Sequence, residues 1–347
     1  MTTLPKKEET TRRLATMRDV AALAGVSIKT VSRVVNQEPG VSPELVERVM
    51  NAVRLLDYHH NTTASNLRRA DQRTSTIGLL LDDVSNPFSS ALHRAIEEVA
   101  REHDTLLLAS SSDQDAEREE KIALTLAARR IDGLIVVPTP RSQSGLHHIQ
   151  SLGRPMVFVD RPAVFHDADS VTVDNRYSAG QAVQHMARHG HRRIAFLGDN
   201  HMVWTASERY LGYVDGMAIA GLPLDEGIVR QDLSNIELAQ AAAEELLASP
   251  APPTAFFTGQ NLVTIGALRA LQHHHLQHRV ALVGFDDFLL ADLLAPAITV
   301  IAQDPAQLGK TAAELLFARI AGDTSLPRRI EVPTTLVVRG SGEIPLV

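Results

Sequence analysis

Between Thr16 and Leu56 apolar residues recur at helical spacing in three short runs. Val20, Ala21, Leu23 and Ala24 share the face of a first helix, and Val31, Val34 and Val35 that of a second. Leu45, Val46, Val49, Val53 and Leu56 mark the inward side of a third. Each run carries its own punctuation. Thr16 followed three residues later by Asp19 is a helix-start pair. Gly25 can take the left-handed turn that ends a helix, with Val26 packing beneath it. Ser27 is an N-cap for the second helix, and Ser42-Pro43-Glu44 opens the third with proline at its first position.

The pattern then changes twice. From Asn61 to Arg68 only Leu67 is large and apolar, flanked by small polar residues and Arg68-Arg69. A helix this short is marginal in isolation, so it is expected to order only against a partner. After Thr74, short apolar runs alternate with amphipathic stretches. They are TIGLLLDD, TLLLAS, GLIVVP, MVFVD, SVTVDN, RIAFLGD, IVRQD, TAFFTGQN, VALVGFDD and ITVIAQD, with EVPTTLVVR near the end. Buried runs separated by helices predict parallel sheets with right-handed crossovers. There are too many of them for one compact sheet, so two similar α/β subdomains with a cleft between them are expected. A ligand would sit in that cleft, at the C-terminal ends of the strands.

Composition narrows this further. The chain of 347 residues has no cysteine, which excludes disulfides and thiolate metal sites. The polar N-terminus MTTLPKKEETTRR has no secretory core and no apolar run approaches membrane-spanning length, so a soluble cytoplasmic protein without a membrane partner is expected. Up to Arg73 there are twelve basic and eight acidic residues, net +4, which leaves −11 for the rest of a chain whose total is −7. A cationic head on an anionic body suggests that only the head meets a polyanion.

The head has the spacing of a helix-turn-helix, whose second helix enters the DNA major groove. On that helix Ile28, Lys29 and Arg33 are placed to read bases: Arg33 and Lys29 by donating to guanine, Ile28 by touching a thymine methyl. Thr16, Thr30, Ser32 and Asn36 are expected to orient the helix on phosphates. In the body, the strand-end polar residues are Asp82, Asp83, Asn86, Phe88, Asp160, Arg161, Asp174, Asn175, Asp199, Gln260, Asn261, Asp286, Asp287 and Asp304. Carboxylates, amides and a guanidinium in such numbers suit a polyol such as a sugar, although any one of them could instead be a helix N-cap.

The segments DVAALAGVSIKTVSRVVN, VSPELVERV and NTTASNLR resemble the LacI/GalR family of bacterial transcriptional repressors. NPF, RIDGLIVVP, VDR, VDN, HGHRRIAFLG, RYLGY and VGFDD resemble the same family's effector-binding body, so the likeness runs from Thr16 to about Arg339. It implies an all-α helix-turn-helix head with a hinge helix, then a periplasmic-binding-protein-like α/β body of two parallel-sheet subdomains. The implied domains are a flexible tail 1–15, the head 16–60, hinge and linker 61–74, and the body 75–347. Within the body the first subdomain would span about 75–173 and 304–325, and the second about 174–303 and 326–347. Leu67 would be a minor-groove wedge, Ala64 a hinge–hinge contact and Asn61 the start of the hinge helix. Arg209 and Asp286 would hold an effector, with Phe88, Arg161, Gln260 and Asn261 beside them.

The sequence departs from the family pattern at three places. His60 replaces the usual proline before the hinge, Gln260-Asn261 replaces Asn-Asp, and Leu233 stands where sugar-binding relatives carry a cleft aromatic. The resulting expectation is a homodimeric repressor that binds double-stranded operator DNA and is released by a sugar-like effector, with no cofactor, metal or catalytic residues. His273-His274-His275 with His278 is read as a solvated connection, and the polar stretch Ser110–Asp115, which could cradle a phosphate, lacks a Walker-type glycine pattern. A periplasmic-type binding protein, or an enzyme on a sugar scaffold, would share the body but not the head.

Overall fold

The computed structural model describes residues 15–36, 38–58, 73–140, 144–164 and 167–346. The hinge positions Asn61, Ala64 and Leu67, together with His60, lie outside the described residues. The chain divides into two compact units, 1–72 and 73–347.

In the first unit α1 (Met17–Ala24), α2 (Ile28–Val35) and α3 (Pro43–Leu55) follow the apolar periodicity. Thr16 and Asp19 form a reciprocal capping box at the start of α1. Gly25 ends α1 at φ 63°, and Arg48 of α3 donates to the carbonyl of Ala24 at 2.6 Å, satisfying an orphan acceptor of the last turn. Val20, Ala21, Ala24, Val31, Val34, Val49 and Ala52 are buried together. Val46, expected inside, is exposed on α3, and the small Ala52 takes an inward position instead.

The second unit is two six-stranded sheets. The first is built from β1 (Thr76–Leu81), β2 (Leu106–Ser111), β3 (Gly133–Val136), β4 (Met156–Val159), β5 (Asp169–Thr172) and β11 (Arg329–Glu331), in the order β11-β5-β4-β3-β1-β2. The second is built from β6 (Ile194–Leu197), β7 (Val229–Arg230), β8 (Ala255–Thr258), β9 (Ala281–Phe285), β10 (Thr299–Ala302) and β12 (Thr335–Val337), in the order β12-β10-β9-β8-β6-β7. All pairs are parallel except β10–β12. The run EVPTTLVVR is therefore two strands in two sheets. β11 pairs with β5, so the chain stays in the first subdomain beyond the expected boundary at 325 and crosses only after Glu331. Pro333, which cannot donate to a ladder, falls in that crossing.

Helices cover both faces of each sheet, which is why the strands read as continuous apolar runs rather than alternating ones. α4 (Pro87–Glu102) and α11 (Pro305–Ala321) pack on one face of the first sheet through Leu92, Ile96, Leu308, Ala312 and Leu316. α5 (Ala116–Ala128) and α6 (Ser144–Ser151) cover the other. On the second sheet α7 (Asn175–Arg188) and α8 (Trp204–Ile219) lie on one face, and α9 (Ile236–Leu247) and α10 (Asn261–His273) on the other.

α7 and α8 cross closely because Gly180, Gly212 and Gly216 leave room. A Cβ on Gly212 would lie 2.1 Å from the carbonyl oxygen of Arg176 and 2.8 Å from Ala179 Cβ. Backbone cannot yield as a flexible side chain does, so Gly212→Ala should destabilise the body by about 1–3 kcal/mol by overpacking. Urea unfolding followed through Trp204, the chain's single tryptophan, on α8, tests this; an unchanged midpoint would show that the helices part freely.

Candidate functional site

In the head, Ser27 caps α2: its hydroxyl accepts from the backbone of Thr30 at 3.1 Å and lies 2.9 Å from the Thr30 hydroxyl. This leaves the first turn facing outward, with Ile28 45% exposed and Lys29 exposed. Arg33 does not simply point outward as expected. Its Nη2 donates to the carbonyl of Pro39 at 2.5 Å and its Nε lies 3.7 Å from Glu38, so it ties α2 to the loop before α3. Asn36 donates to the Ser32 hydroxyl at 3.3 Å, and Thr16 is engaged with Asp19.

In the body, the C-terminal ends of the two sheets face a cleft of about 490 Å³. Asp82, Asp83, Asn86, Phe88, Asp160, Arg161, Asp199, Arg209, Gln260 and Asp286 all line it, as expected from sequence. Five expected strand-end residues are not among its lining. Asp174 and Asp304 are N-caps of α7 and α11, and Asp287 pairs with Arg339. Asn175 is buried and accepts from Arg209 Nε at 2.7 Å. Asn261 does not line the cavity either. It is buried and exchanges amide hydrogen bonds with Asn86, at 3.0 and 3.4 Å, across the two subdomains.

Leu233 packs in the core beneath α9 and α10, and its neighbour Ser234 faces the cavity. Asp113, Gln114, Thr205 and Gln303 line the cavity without having been anticipated. For Gln303 the available signal was its place immediately after β10, beside the capping Asp304.

The cleft is ionic and tightly wired. Arg161 donates Nη2 to Asp82 at 2.6 Å and Nη1 to the Pro138 carbonyl at 2.8 Å, while its Nε lies 3.5 Å from Asp160. Arg209 is 4% exposed, with its guanidinium carbon 3.8 Å from the centre of the Phe285 ring. Its Nη1 donates to the Gly259 carbonyl at 2.8 Å and to Asp286 at 3.3 Å. Gln303 donates to the other oxygen of Asp286 at 2.6 Å. Burial pushes the Asp160 carboxyl up to about 6; Arg161 and Arg209 oppose the shift, and Asp286 and Asp82 add to it. Burial also raises Asp199. Among the described residues, the buried atoms Asp82 Oδ1, Arg161 Nε and Gln303 Oε1 of cleft-lining side chains have no hydrogen-bond partner in the protein.

A helix-turn-helix unit joined to a two-lobed α/β body with a polar interlobe cleft defines a ligand-responsive DNA-binding regulator. Residues 16–61 match the family model of bacterial regulatory proteins of the lacI family, and residues 183–342 that of the periplasmic binding protein-like domain. The chain belongs to the LacI family of bacterial transcriptional regulators. It is 32% identical to the ribose operon repressor of Escherichia coli (strain K12) over 331 residues, 94% of this chain and 100% of that one. It is 33% identical to the HTH-type transcriptional regulator GalR of Salmonella typhimurium (strain LT2) over 337 residues, 96% of this chain and 97% of that one. The solved lac repressor dimer bound to operator and the anti-inducer ONPF superposes with a TM-score of 0.83 at 25% identity, over 95% of this chain and 99% of that one. The complex of the transcriptional regulator CelR with cellobiose gives 0.71 at 30% identity, over 94% and 99%. The chain is thus a sequence-specific DNA-binding regulator of transcription and not an enzyme.

Proposed function

We propose that this regulator is a homodimeric repressor, that its heads read a palindromic operator, and that a small sugar-like effector bound in the interlobe cleft releases it. One observation carries the reading: a capped helix presenting Ile28 and Lys29 outward shares a chain with an interlobe cleft lined by carboxylates, amides and guanidiniums. Ile28, Lys29 and Arg33 contact base edges; Thr16, Thr30, Ser32 and Asn36 fix the helix on phosphates. The hinge around Asn61, Ala64 and Leu67 enters the minor groove. In the cleft Phe88, Arg161, Arg209, Gln260 and Asp286 contact the effector, and Asn261 acts one step behind by holding Asn86. Closure of the two subdomains on the effector biases the hinges between ordered and loose forms.

A repressor of this kind acts on the chromosome, in the bacterial cytoplasm. No helix among the described residues is long and apolar enough to cross a membrane.

Footprinting of the purified protein at moderate salt should show a protected palindrome that is lost when effector is added. The absence of any protected palindrome sinks the reading. Arg33→Ala should weaken operator binding by about 1–3 kcal/mol and relax specificity at one base pair. Because Arg33 also ties down the Pro39 carbonyl, uniform weakening on every sequence would assign it to loop support instead.

Self-association fits the apolar stretch after Asp287, where Leu289 and Leu293 are 83% and 74% exposed. Isolated exposed leucines are ordinary, but two so close together with Leu290 beside them mark a contact face. Replacing both Leu289 and Leu293 by Asp should weaken the dimer at least about tenfold by sedimentation equilibrium, since each charge would be desolvated at the contact.

A further inference from the structure

The two lobes present their acids to the cleft in equivalent places. β1, β4 and β5 of the first sheet occupy the positions of β6, β9 and β10 in the second. Asp82 follows β1 as Asp199 follows β6, and Asp160 follows β4 as Asp286 follows β9. The second pair matches in backbone detail. Asp160 and Asp286 have φ of 68° and 69°, and their amides donate to Val171 and Ile301 of the neighbouring strands, both at 2.9 Å. Aspartate tolerates the left-handed backbone, and the same conformation at the same place in both lobes brings both carboxylates to the cleft lining. The cleft is therefore bounded by four aspartates in two-fold arrangement.

Its charge is lopsided. Among the described residues Asp82, Asp83, Asp113, Asp160, Asp199 and Asp286 line it against two guanidiniums, with no lysine or histidine in the described lining. Both arginines are already committed. Arg161 spends Nη1 and Nη2 on Pro138 and Asp82, and Arg209 spends Nε and Nη1 on Asn175, Gly259 and Asp286. Neither offers the open two-pronged fork that phosphate or carboxylate recognition uses. The amides of Leu262 and Val263, at the start of α10, are taken by the Gln260 side chain. One feature does favour an anion: Val203, the N-cap of α8, supplies no side-chain acceptor, so that helix start keeps its positive end toward Thr205 and Ala206 of the lining. A helix end amounts to about half a positive charge, which does not offset the surplus of carboxylates.

We infer that the cleft takes an uncharged polyhydroxy effector, held from both lobes by the aspartate quartet, and rejects the phosphorylated and carboxylated forms of the same compound. This rests on the reading of the cleft as the effector site. Carboxylates are acceptors only, so each can take two neighbouring hydroxyls, whereas an added anion meets like charge on both walls and, among the described residues, no open guanidinium fork to receive it.

Matched compounds test it on the full-length protein, with thermal unfolding and Trp204 fluorescence as readouts. The panel is D-ribose, D-galactose, D-glucose and cellobiose, each with its terminal phosphate ester and its aldonate. At least one neutral member should raise the unfolding temperature, and its anionic partners should bind at least about tenfold more weakly. Asp199→Asn should narrow that gap, since one like charge is gone. An anionic partner binding as tightly as its neutral parent overturns the inference while leaving the cleft as the effector site, as does a gap that Asp199→Asn leaves unchanged. Silence across the whole panel would remove the sugar-like effector itself, and this inference with it.

Discussion

Arg209→Met should destabilise the body by about 3–5 kcal/mol, because it breaks a buried ion pair and leaves Asp286 without its cation. The expected size follows from burial. Asp286 is 6% exposed, so an ionised carboxylate there cannot recover its lost partner from water. The same change strips the buried Asn175 oxygen and the Gly259 carbonyl of their donor and removes the guanidinium from the Phe285 ring. Urea unfolding of the full chain, followed through Trp204, isolates the body from the head. Arg94, which pairs with Glu98 across an exposed helix turn, is the control, and its replacement should leave the midpoint close to wild type. If the two substitutions cost alike, the buried pair is not holding the lobe together. On the proposed reading Arg209→Met has a second consequence: operator binding persists in whatever fraction folds, but the response to effector is lost.

Much of this was legible in the sequence because the relevant signals are local. Thr16 with Asp19, Ser27 and Gly25 act within four residues of themselves, and each does in the structure what its position implies. The strand ends were legible for the same reason, since a buried apolar run that stops at Asp or Asn has reached either a cleft or a helix cap. Which of the two it has reached is not local. Asp174 and Asp304 cap helices while Gln303, next to Asp304, faces the cavity. Adjacent residues at a strand end point to opposite sides, and only the register of the whole sheet decides which side is the cleft. Leu233 and Ser234 repeat the lesson, since the apolar residue turns to the core and the polar one to the cavity.

The remaining discrepancies are tertiary. Arg33 looked free because the carbonyl that holds it, on Pro39, belongs to a loop whose path the helical pattern does not describe. Asn261 looked like a ligand contact because its partner Asn86 lies in the other lobe, 175 positions away in the chain. The late return crossing had the same origin, since the run around Pro333 reads as one continuous segment and its division between two sheets depends on which edge each half meets.

The wild-type protein should lose stability relative to Asp160→Asn as pH rises from about 4 to 7, by an amount on the order of 3 kcal/mol. In the folded protein the carboxyl of Asp160 is pushed up to about 6, from 3.8. The folded state therefore holds this proton more tightly than the unfolded chain does. The contribution is fully present below the unfolded value and is lost as pH rises through the folded one. Burial is the main cause, and the two arginines that oppose it are divided, Arg161 with Asp82 and Arg209 with Asp286. Asn is the right replacement: it keeps the shape, cannot ionise and tolerates the left-handed backbone at this position. Taking the difference between the two proteins matters, because other groups titrate nearby. Asp199 is raised by burial and acts in the same direction, whereas His191 is lowered by burial and acts in the opposite one, losing stability as pH falls. Both cancel in the difference. Urea unfolding of both proteins at pH 5 and pH 8 should show Asp160→Asn gaining on the wild type between the two conditions, and an equal difference at both would mean that Asp160 ionises as freely as in the unfolded chain. A ligand whose hydroxyls donate to Asp160 would favour the ionised form, so its affinity should rise over the same interval in which the protein alone weakens.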